Sequence, residues 1–599
     1  MKIAGPNANP EHEYAARLAI YDAQIKALTQ RDERVGTARL IVALFIVAIA
    51  AIGLSMRTLS LWWTLPLLAA FAGLLLLHGS VRRARAHALR AAAFYHQGLD
   101  RINDRWIGGG HTGERFTAMD HVTPPTWTFS GRGSLFELLC AVADQNGRAD
   151  LGTVGCSRRP PRQKSWSVKQ ASAICATGST CERTFIRRAT ARSGYSRTRS
   201  CLAESANQLQ DRWIRLAAFV LPAAAIATAV LWVMAGMRWP FLIVLLAQIA
   251  VVRILAKRLD AVAHATERGF ENLRLLSGLL TRIESERFAE PALQALQSQL
   301  VSQSQQASRI IARLGTITDF ASQRDNIFVR VLLEIPLLYS VHLALAAQSW
   351  RSRYGAAVRP WLSVVGHLEA LSSLAMYAYE HPGDPFPQLA EGAAVFEARE
   401  LGHPLLGAAA CVRNDVSILH PVRTLLVSGS NMSGKSTLLR AVGINTVLAM
   451  AGAPVRAAAM RLTPLQVGAS IHVNDSLEKG HSRFYAEISR LKALYELSGQ
   501  NVPLLFLLDE MLQGTNSKDR RIGAEGVVRA FIERGAVGLI STHDLALADI
   551  TGLRAGALHN VHFQDSIEDG RMSFDFRLRD GVVTKSNGIE LMRAIGLKV

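Results

Sequence analysis

The apolar run Thr424-Leu-Leu-Val427 leads into Gly429-Ser430-Asn431-Met432-Ser433-Gly434-Lys435-Ser436-Thr437, and the helical pattern TLLRAVGINTVLAM begins as that stretch ends. Strand, glycine loop and helix in that order are the setting a GxxxxGK[ST] phosphate loop requires. The pattern commits the C-terminal part of the chain to an α/β P-loop fold. Its glycines let backbone N–H groups turn inward on phosphates, and the helix N-terminus adds its positive end. Gly429 to Thr437 therefore read as the ATP-binding segment, with Lys435 reaching the β/γ-phosphates and the Ser436 hydroxyl ligating Mg²⁺. A chance Gly-Lys-Ser loop is the alternative, and the correct flanks argue against it.

Downstream, Pro503-Leu-Leu-Phe-Leu-Leu-Asp509-Glu510 is a buried-strand run ending in two acids. In a P-loop enzyme an Asp in this place helps hold Mg²⁺, and the next carboxylate, Glu510, is placed to polarise the attacking water. Alone, two acids after an apolar run are a strand end and a cap; paired with the upstream loop they read as catalytic. A third apolar strand, Ala536 to Ile540, ends in Ser541-Thr542-His543-Asp544. A lone histidine is more often structural, but His543 at the tip of a core strand reads as a γ-phosphate sensor. Lys435, Glu510 and His543 are the candidate catalytic residues, with Ser436 and Asp509 as metal ligands.

At 599 residues the chain holds several domains, since single cores rarely grow beyond roughly 250–300 residues. Its 49% hydrophobic content is high for a soluble enzyme and low for a protein mostly buried in lipid, which suits a part-membrane chain. Two apolar runs, Leu40–Met56 and Leu61–His78, are each close to the ~20 residues that cross a bilayer as a helix. Trp62 and Trp63 occupy the place of an interfacial belt. Two more runs, Leu216–Met237 and Phe241–Leu255, are separated by Arg238, Trp239 and Pro240. The last contains Arg253, which needs snorkelling to be accommodated. Arginines and lysines flank both hairpins, with one arginine in each turn, so the positive-inside rule places their ends in the cytoplasm. Buried core helices are the competing explanation. The polar first thirty-odd residues lack a cleavable signal peptide, and the six cysteines match no zinc spacing.

Residues 148–200 change character abruptly. They hold twelve Lys/Arg against Asp150 and Glu182, so they carry +10 of the formal +19. A basic arm touching nucleic acid or anionic lipid, an ordinary loop, and an out-of-frame translation of a once-helical segment all account for it. The last is preferred, because patternless Arg- and Cys-rich protein is what misread GC-rich coding sequence gives. The charge excess is therefore poor support for DNA binding. From Asp260 to about Gly383 the pattern is helical, with Leu273, Leu276, Leu280 and Ile283 on one stripe, and it reads as a lever between membrane and nucleotide site.

GSNMSGKSTLLR, SLEKGHSRFYAEI, LLDEMLQGTNSKD and STHD, in this order and spacing, resemble the ATPase domain of the MutS mismatch-repair family. The likeness covers roughly His403 to Val599. Its specific marks are Asn431-Met432, Ser482-Arg483-Phe484 with Glu487, and Gly514-Thr515. Within the family, the chain is most similar to the membrane-attached bacterial branch, whose core region DRWIGGGHTGERF and GSLFELL also resemble. The resemblance implies an ABC-like homodimer through the ATPase domains. Asn431 would contact the γ-phosphate, Ser482 would reach the partner's nucleotide, Asp519 would lie at the dimer interface, and Val412 and Asn414 would flank the adenine. The family's stacking aromatic is replaced there by Cys411 or Val412. The closing GVVTKSNGIELMRAIGL would brace the dimer. Phe288-Ala289-Glu290 matches the family's DNA wedge in letters but lies in a helical stretch.

These readings divide the chain into a cytoplasmic N-terminal segment (1–38), transmembrane hairpin 1 (39–80), a helical connector (81–147), the basic segment (148–200), transmembrane hairpin 2 (201–258), a helical core or lever (259–400) and the ATPase domain (401–599). The expected protein is a Mg²⁺-dependent ATPase and dimeric switch of the bacterial inner membrane, its ATPase domain in the cytoplasm. Its expected partners are the lipid bilayer and mismatched or branched DNA. The alternative is an ATPase that moves a protein or membrane partner without DNA. An ABC-type transporter is disfavoured, since four short apolar runs without spaced polar residues line no pathway.

Overall fold

The computed structural model describes residues 9–56, 64–113, 130–140, 212–267, 270–322, 334–471, 483–513, 515–544, 556–568 and 571–583. The 148–200 segment, Trp62, Trp63, Ser482, Gly514 and most of the C-terminal tail lie outside the described residues. The chain divides into two compact units, one holding the N-terminal 141 residues with 371–599, the other built mainly from 182–370.

In the first unit α1 (Pro10–Met56) and α2 (Thr64–Ile102) form an antiparallel pair, since Tyr14 lies against Gly98 and Asp32 meets Arg85 at 3.3 Å. At 1.5 Å per residue they are about 70 and 58 Å long, far beyond the apolar runs that announced them. The polar N-terminal segment is thus helix, continuous with the apolar run. Leu40, Leu44, Phe45 and Leu76 are exposed along their apolar parts. At the other end the pair is tied down. A Cβ on Gly98 would stand 2.4 Å from the Tyr14 ring, so only glycine admits it. The Arg101 guanidinium meets both Glu380 oxygens at 2.7 and 2.8 Å in a buried bidentate pair. A short helix, α3 (Leu135–Leu139), is capped by Ser134. Its Glu137 carboxylate is buried and accepts the N–H groups of Gly108, Gly110 and Gly133 at 2.8, 3.1 and 2.7 Å. The glycine-rich stretch and GSLFELL are therefore one knot around a carboxylate.

The second unit is helical: α4 (Arg212–Ala235), α5 (Trp239–Glu267), α6 (Phe270–Ser285), α7 (Pro291–Ser298), α8 (Ala307–Ser322), α9 (Ile335–Leu337) and α10 (Tyr339–Glu380), whose last ten residues belong to the first unit. A two-strand ribbon, β1 (Val301–Ser302) with β2 (Gln305–Gln306), interrupts it. Leu276, Leu280 and Ile283 are buried as the stripe required, while Phe288-Ala289-Glu290 falls in the connection between α6 and α7, not in helix. Among the described residues one helix, α4, is long and apolar enough to cross a membrane; Trp239–Leu255 is a shorter apolar stretch. One face of α4 packs, through Ile214 and Ala218, with Leu255 on Leu338, Val341 and Ala344. Its other face exposes Leu216, Phe219, Val220, Val233 and Met234.

The rest of the first unit is α/β. A four-stranded sheet runs β3 (Gln388–Leu389), β7 (Ala459–Leu462), β4 (Phe396–Leu401), β5 (Asn414–Ile418). The expected start at 401 thus falls at the end of a strand, and the sheet opens at Gln388. The six-stranded sheet runs β12 (Arg571–Asp580), β11 (Leu558–Glu568), β6 (Thr424–Ser428), β10 (Val537–Thr542), β9 (Leu504–Asp509), β8 (Gln466–Ser470). It is parallel except for β12. Leu504 to Leu508 are all fully buried, the near-continuous apolar strand expected where helices cover both faces. α12 (Arg483–Ser498) and α13 (Ser517–Glu533) pack on β9 through Leu494, Val528 and Phe531, with Phe506 and Phe531 stacked at 5.0 Å. α11 (Lys435–Ala451) follows β6 through the glycine loop.

Candidate functional site

The sheet register assembles the site. Ser541 of β10 lies opposite Asp509 of β9, and Thr542 opposite Ser428 of β6. Three distant segments therefore end side by side at the C-terminal edge of the strands, where α/β folds bind ligands. The loop bends through left-handed Gly429, Met432 and Gly434, with φ of 149, 72 and 105°. Gly429 has no room for a side chain, because a Cβ would lie 3.0 Å from the Phe563 carbonyl. Asn431 and Met432 are exposed, whereas Ser433 and Lys435 are buried. The Lys435 ammonium donates to the Gly429 and Ser430 carbonyls at 2.8 and 2.7 Å and lies 4.0 Å from Glu510. Burial pulls its pKa down, and the carboxylates of Glu510, Asp509 and Asp565 pull it back up.

Asp509 accepts a hydrogen bond from the Ser541 hydroxyl. The Glu510 N–H donates to the Ser541 carbonyl at 3.1 Å. The Glu510 carboxylate meets His543 Nδ1 at 3.3 Å and accepts from the Gln513 amide. The structure thus brings Lys435, Asp509, Glu510 and His543 together, as the sequence pattern expected. Asn414 does reach the loop's neighbourhood, bridging the Phe576 carbonyl and the Leu578 N–H at 3.0 and 2.7 Å. Val412 is exposed. Asp519 is exposed at the start of α13, where the Asn516 cap accepts its N–H at 2.9 Å.

Four contributors escaped the sequence reading. Ser541 fixes Asp509, and Gln513 fixes Glu510. Asp565 is buried where β12 bulges against β11 and acts on Lys435. Phe576, exposed and left-handed at φ 53°, places its ring 3.3 Å from where a Gly434 Cβ would be. An alternating Phe574-Asp-Phe576 pattern was the one signal available for it.

His403 is buried and its pKa is pushed down to about 4, first by burial and then by Arg440 and Arg456. Its Nδ1 accepts the Leu405 N–H at 3.2 Å, which requires that nitrogen to be unprotonated. The folded state therefore keeps the ring neutral, while the unfolded chain takes up a proton below its ordinary value near 6.5. Stability is expected to fall as pH drops from about 6.5 to about 4, by roughly 3 kcal/mol, and to lose no more to this group below that. Denaturation midpoints of wild type and His403→Gln across that window check it, the difference between them shifting by roughly 3 kcal/mol from about pH 6.5 to about 4 and staying constant above it.

A strand, a glycine loop closed by a lysine on a helix N-terminus, and a carboxylate pair ending another parallel strand of the same sheet define a P-loop nucleotide-binding domain. The chain matches the family model of MutS domain V over residues 425–598. It is 28% identical over 297 residues to the DNA mismatch repair protein MutS of Lactococcus lactis subsp. cremoris (strain MG1363), covering 48% of this chain and 35% of that one. It is 31% identical over 244 residues to a DNA mismatch repair protein MutS of Thermus thermophilus, covering 40% and 28%. It is 30% identical over 251 residues to the endonuclease MutS2 of Anaeromyxobacter sp. (strain Fw109-5), covering 39% and 30%. The chain spans about a third of the length of the curated relatives it matches.

Proposed function

We propose that the protein binds and hydrolyses ATP at the Gly429–Thr437 loop and works as a MutS-like dimeric switch tethered to the bacterial inner membrane. The observation that carries the ATPase reading is the convergence of Lys435, Asp509, Glu510 and His543 at one edge of the sheet. Lys435 leaves the Gly429 and Ser430 carbonyls to take the β/γ-phosphates. Glu510, steered by His543 and Gln513, draws the proton of the attacking water. Ser436 and Asp509 offer hard oxygen donors of the kind magnesium takes, and the ion would supply neutralisation of the developing phosphate charge. Phe576 offers the aromatic face for the base that Val412 lacks, its backbone held by Asn414. Dimerisation through the ATPase domains, with Ser482 reaching across, completes the reading.

Membrane attachment by both hairpins rests on the exposed apolar surfaces of α1, α2, α4 and the start of α5, which water does not favour and lipid does. Action on mismatched or branched DNA rests on the names its relatives carry. A second reading, an ATPase that moves a membrane or protein partner without DNA, is favoured by those same apolar helices. The deciding experiment is ATP turnover by the full chain in detergent, with Mg²⁺, with and without mismatched or four-way duplex, at several salt concentrations. ATP-modulated, salt-dependent DNA binding supports the first reading; turnover indifferent to every duplex supports the second; no turnover under any condition ends both.

A further inference from the structure

The turn that follows β9 contains two non-glycine residues in the left-handed region, Glu510 and Leu512, with φ of 49 and 59°. A side chain in that region is strained and persists there only when its surroundings over-determine it. What holds this turn comes from two helices. The carboxylate of Glu487, in the second turn of α12, is buried and accepts the Leu512 N–H at 2.5 Å. Arg520, in the first turn of α13, donates from Nε to the Leu512 carbonyl at 3.2 Å and from Nη2 to the Thr515 carbonyl at 3.3 Å. Its Nη1 lies 3.6 Å from Asp544, beside His543. The Leu512 side chain is buried against Gly523 of α13, where a Cβ would approach it to 2.8 Å. One acid and one base thus grip the two ends of the same residue, two positions beyond Glu510.

We infer that Glu487 and Arg520 are positioning residues that clamp Leu512 and so aim the Glu510 carboxylate at the attacking water, making its alignment depend on how α12 and α13 sit against each other. The inference rests on reading Glu510 as the base. Both residues act on the backbone of the turn, so the clamp is expected to act on turnover and not on affinity. A misplacement of about 1 Å at a reacting group can cost 10²-fold, which sets the size of the effect.

The test uses the full chain in detergent and three variants, Glu487→Ala, Glu487→Gln and Arg520→Met. Hydrogen exchange of the peptide covering Met511–Gln513 is followed alongside ATP binding and kcat. Glu487→Ala is expected to speed exchange of that peptide, lower kcat about 30-fold or more, and leave the ATP Kd within about 3-fold. Glu487→Gln keeps an acceptor oxygen for the Leu512 N–H and is expected to restore kcat to within about 5-fold of wild type. Arg520→Met is expected to resemble Glu487→Ala. Unchanged exchange in Glu487→Ala overturns the clamp, whatever the turnover. Faster exchange with undiminished kcat overturns its role in aiming Glu510. Equal loss of ATP binding and turnover reduces both residues to general stability and overturns it too. If the wild type binds ATP and never hydrolyses it, the ATPase reading fails, and with it the aiming role, while exchange still decides whether the clamp exists.

Discussion

Lys435→Ala is expected to weaken ATP binding about 10²–10⁴-fold. The ammonium is almost wholly buried, with 4% of its side chain exposed, and in the described structure it satisfies two loop carbonyls. A triphosphate replaces those carbonyls with charged oxygens. Hydrogen bonds to charged groups contribute about 1.5–3 kcal/mol each, so losing two corresponds to about 10²–10⁴-fold in Kd. The truncation also leaves the carboxylates of Asp509, Glu510 and Asp565 without the lysine that faces them, which repels the incoming phosphates further. Equilibrium titration with a fluorescent ATP analogue checks this, with circular dichroism to establish that the variant is folded. A folded variant that binds within about 3-fold of wild type removes Lys435 from the phosphate site.

The second large effect lies in chemistry. Glu510→Gln is expected to lower kcat about 10²–10⁴-fold, the range a general base supplies, while ATP binds as well as in wild type or better. The tightening follows from charge. Glu510 lies 4.0 Å from the Lys435 ammonium and competes with phosphate for it; glutamine keeps the shape and drops the competition. The variant should therefore hold ATP unhydrolysed, seen as retention of labelled ATP on a filter with no labelled phosphate released. Turnover at the wild-type rate by this variant means that another group activates the water.

What the sequence disclosed and what it hid divide along separation in the chain. The loop between β6 and α11 is legible because each of its requirements is met by residues within a dozen positions. The parallel sheet follows from it, and the apolar strands ending in Asp509 and Thr542 add the rest of the phosphate edge. Phe576 showed no more than its alternation with Phe574, because its place beside Gly434 is set by a bulged strand whose anchor, Asn414, lies 162 positions away. The family resemblance pointed to Val412 and Asn414 for the adenine side; of the two, Asn414 holds the Phe576 backbone and Val412 is exposed. Glu137 carried no visible signal either, since a glutamate in a short apolar helix reads as solvated until two distant amides, with that of Gly133, are found on it. The first two apolar runs located parts of α1 and α2 that expose Leu40, Leu44, Phe45 and Leu76. They gave no hint that α1 and α2 extend well beyond those runs, because helix pairing in the polar parts rests on long-range contacts such as Asp32 with Arg85.

The bidentate pair between Arg101 and Glu380 sets a rule for how such chains can diversify. Glu380 exposes 1% of its side chain and Arg101 10%, so replacing either alone strands a desolvated charge at a cost of about 3–5 kcal/mol, whereas replacing both by apolar residues is close to neutral. The two positions are 279 apart in the sequence yet inherit change only as a couple. A recombinant that exchanges its N-terminal helices for those of a distant relative must carry the matching partner at the end of α10, or it will be removed by the cell's quality control before its catalysis is ever tried.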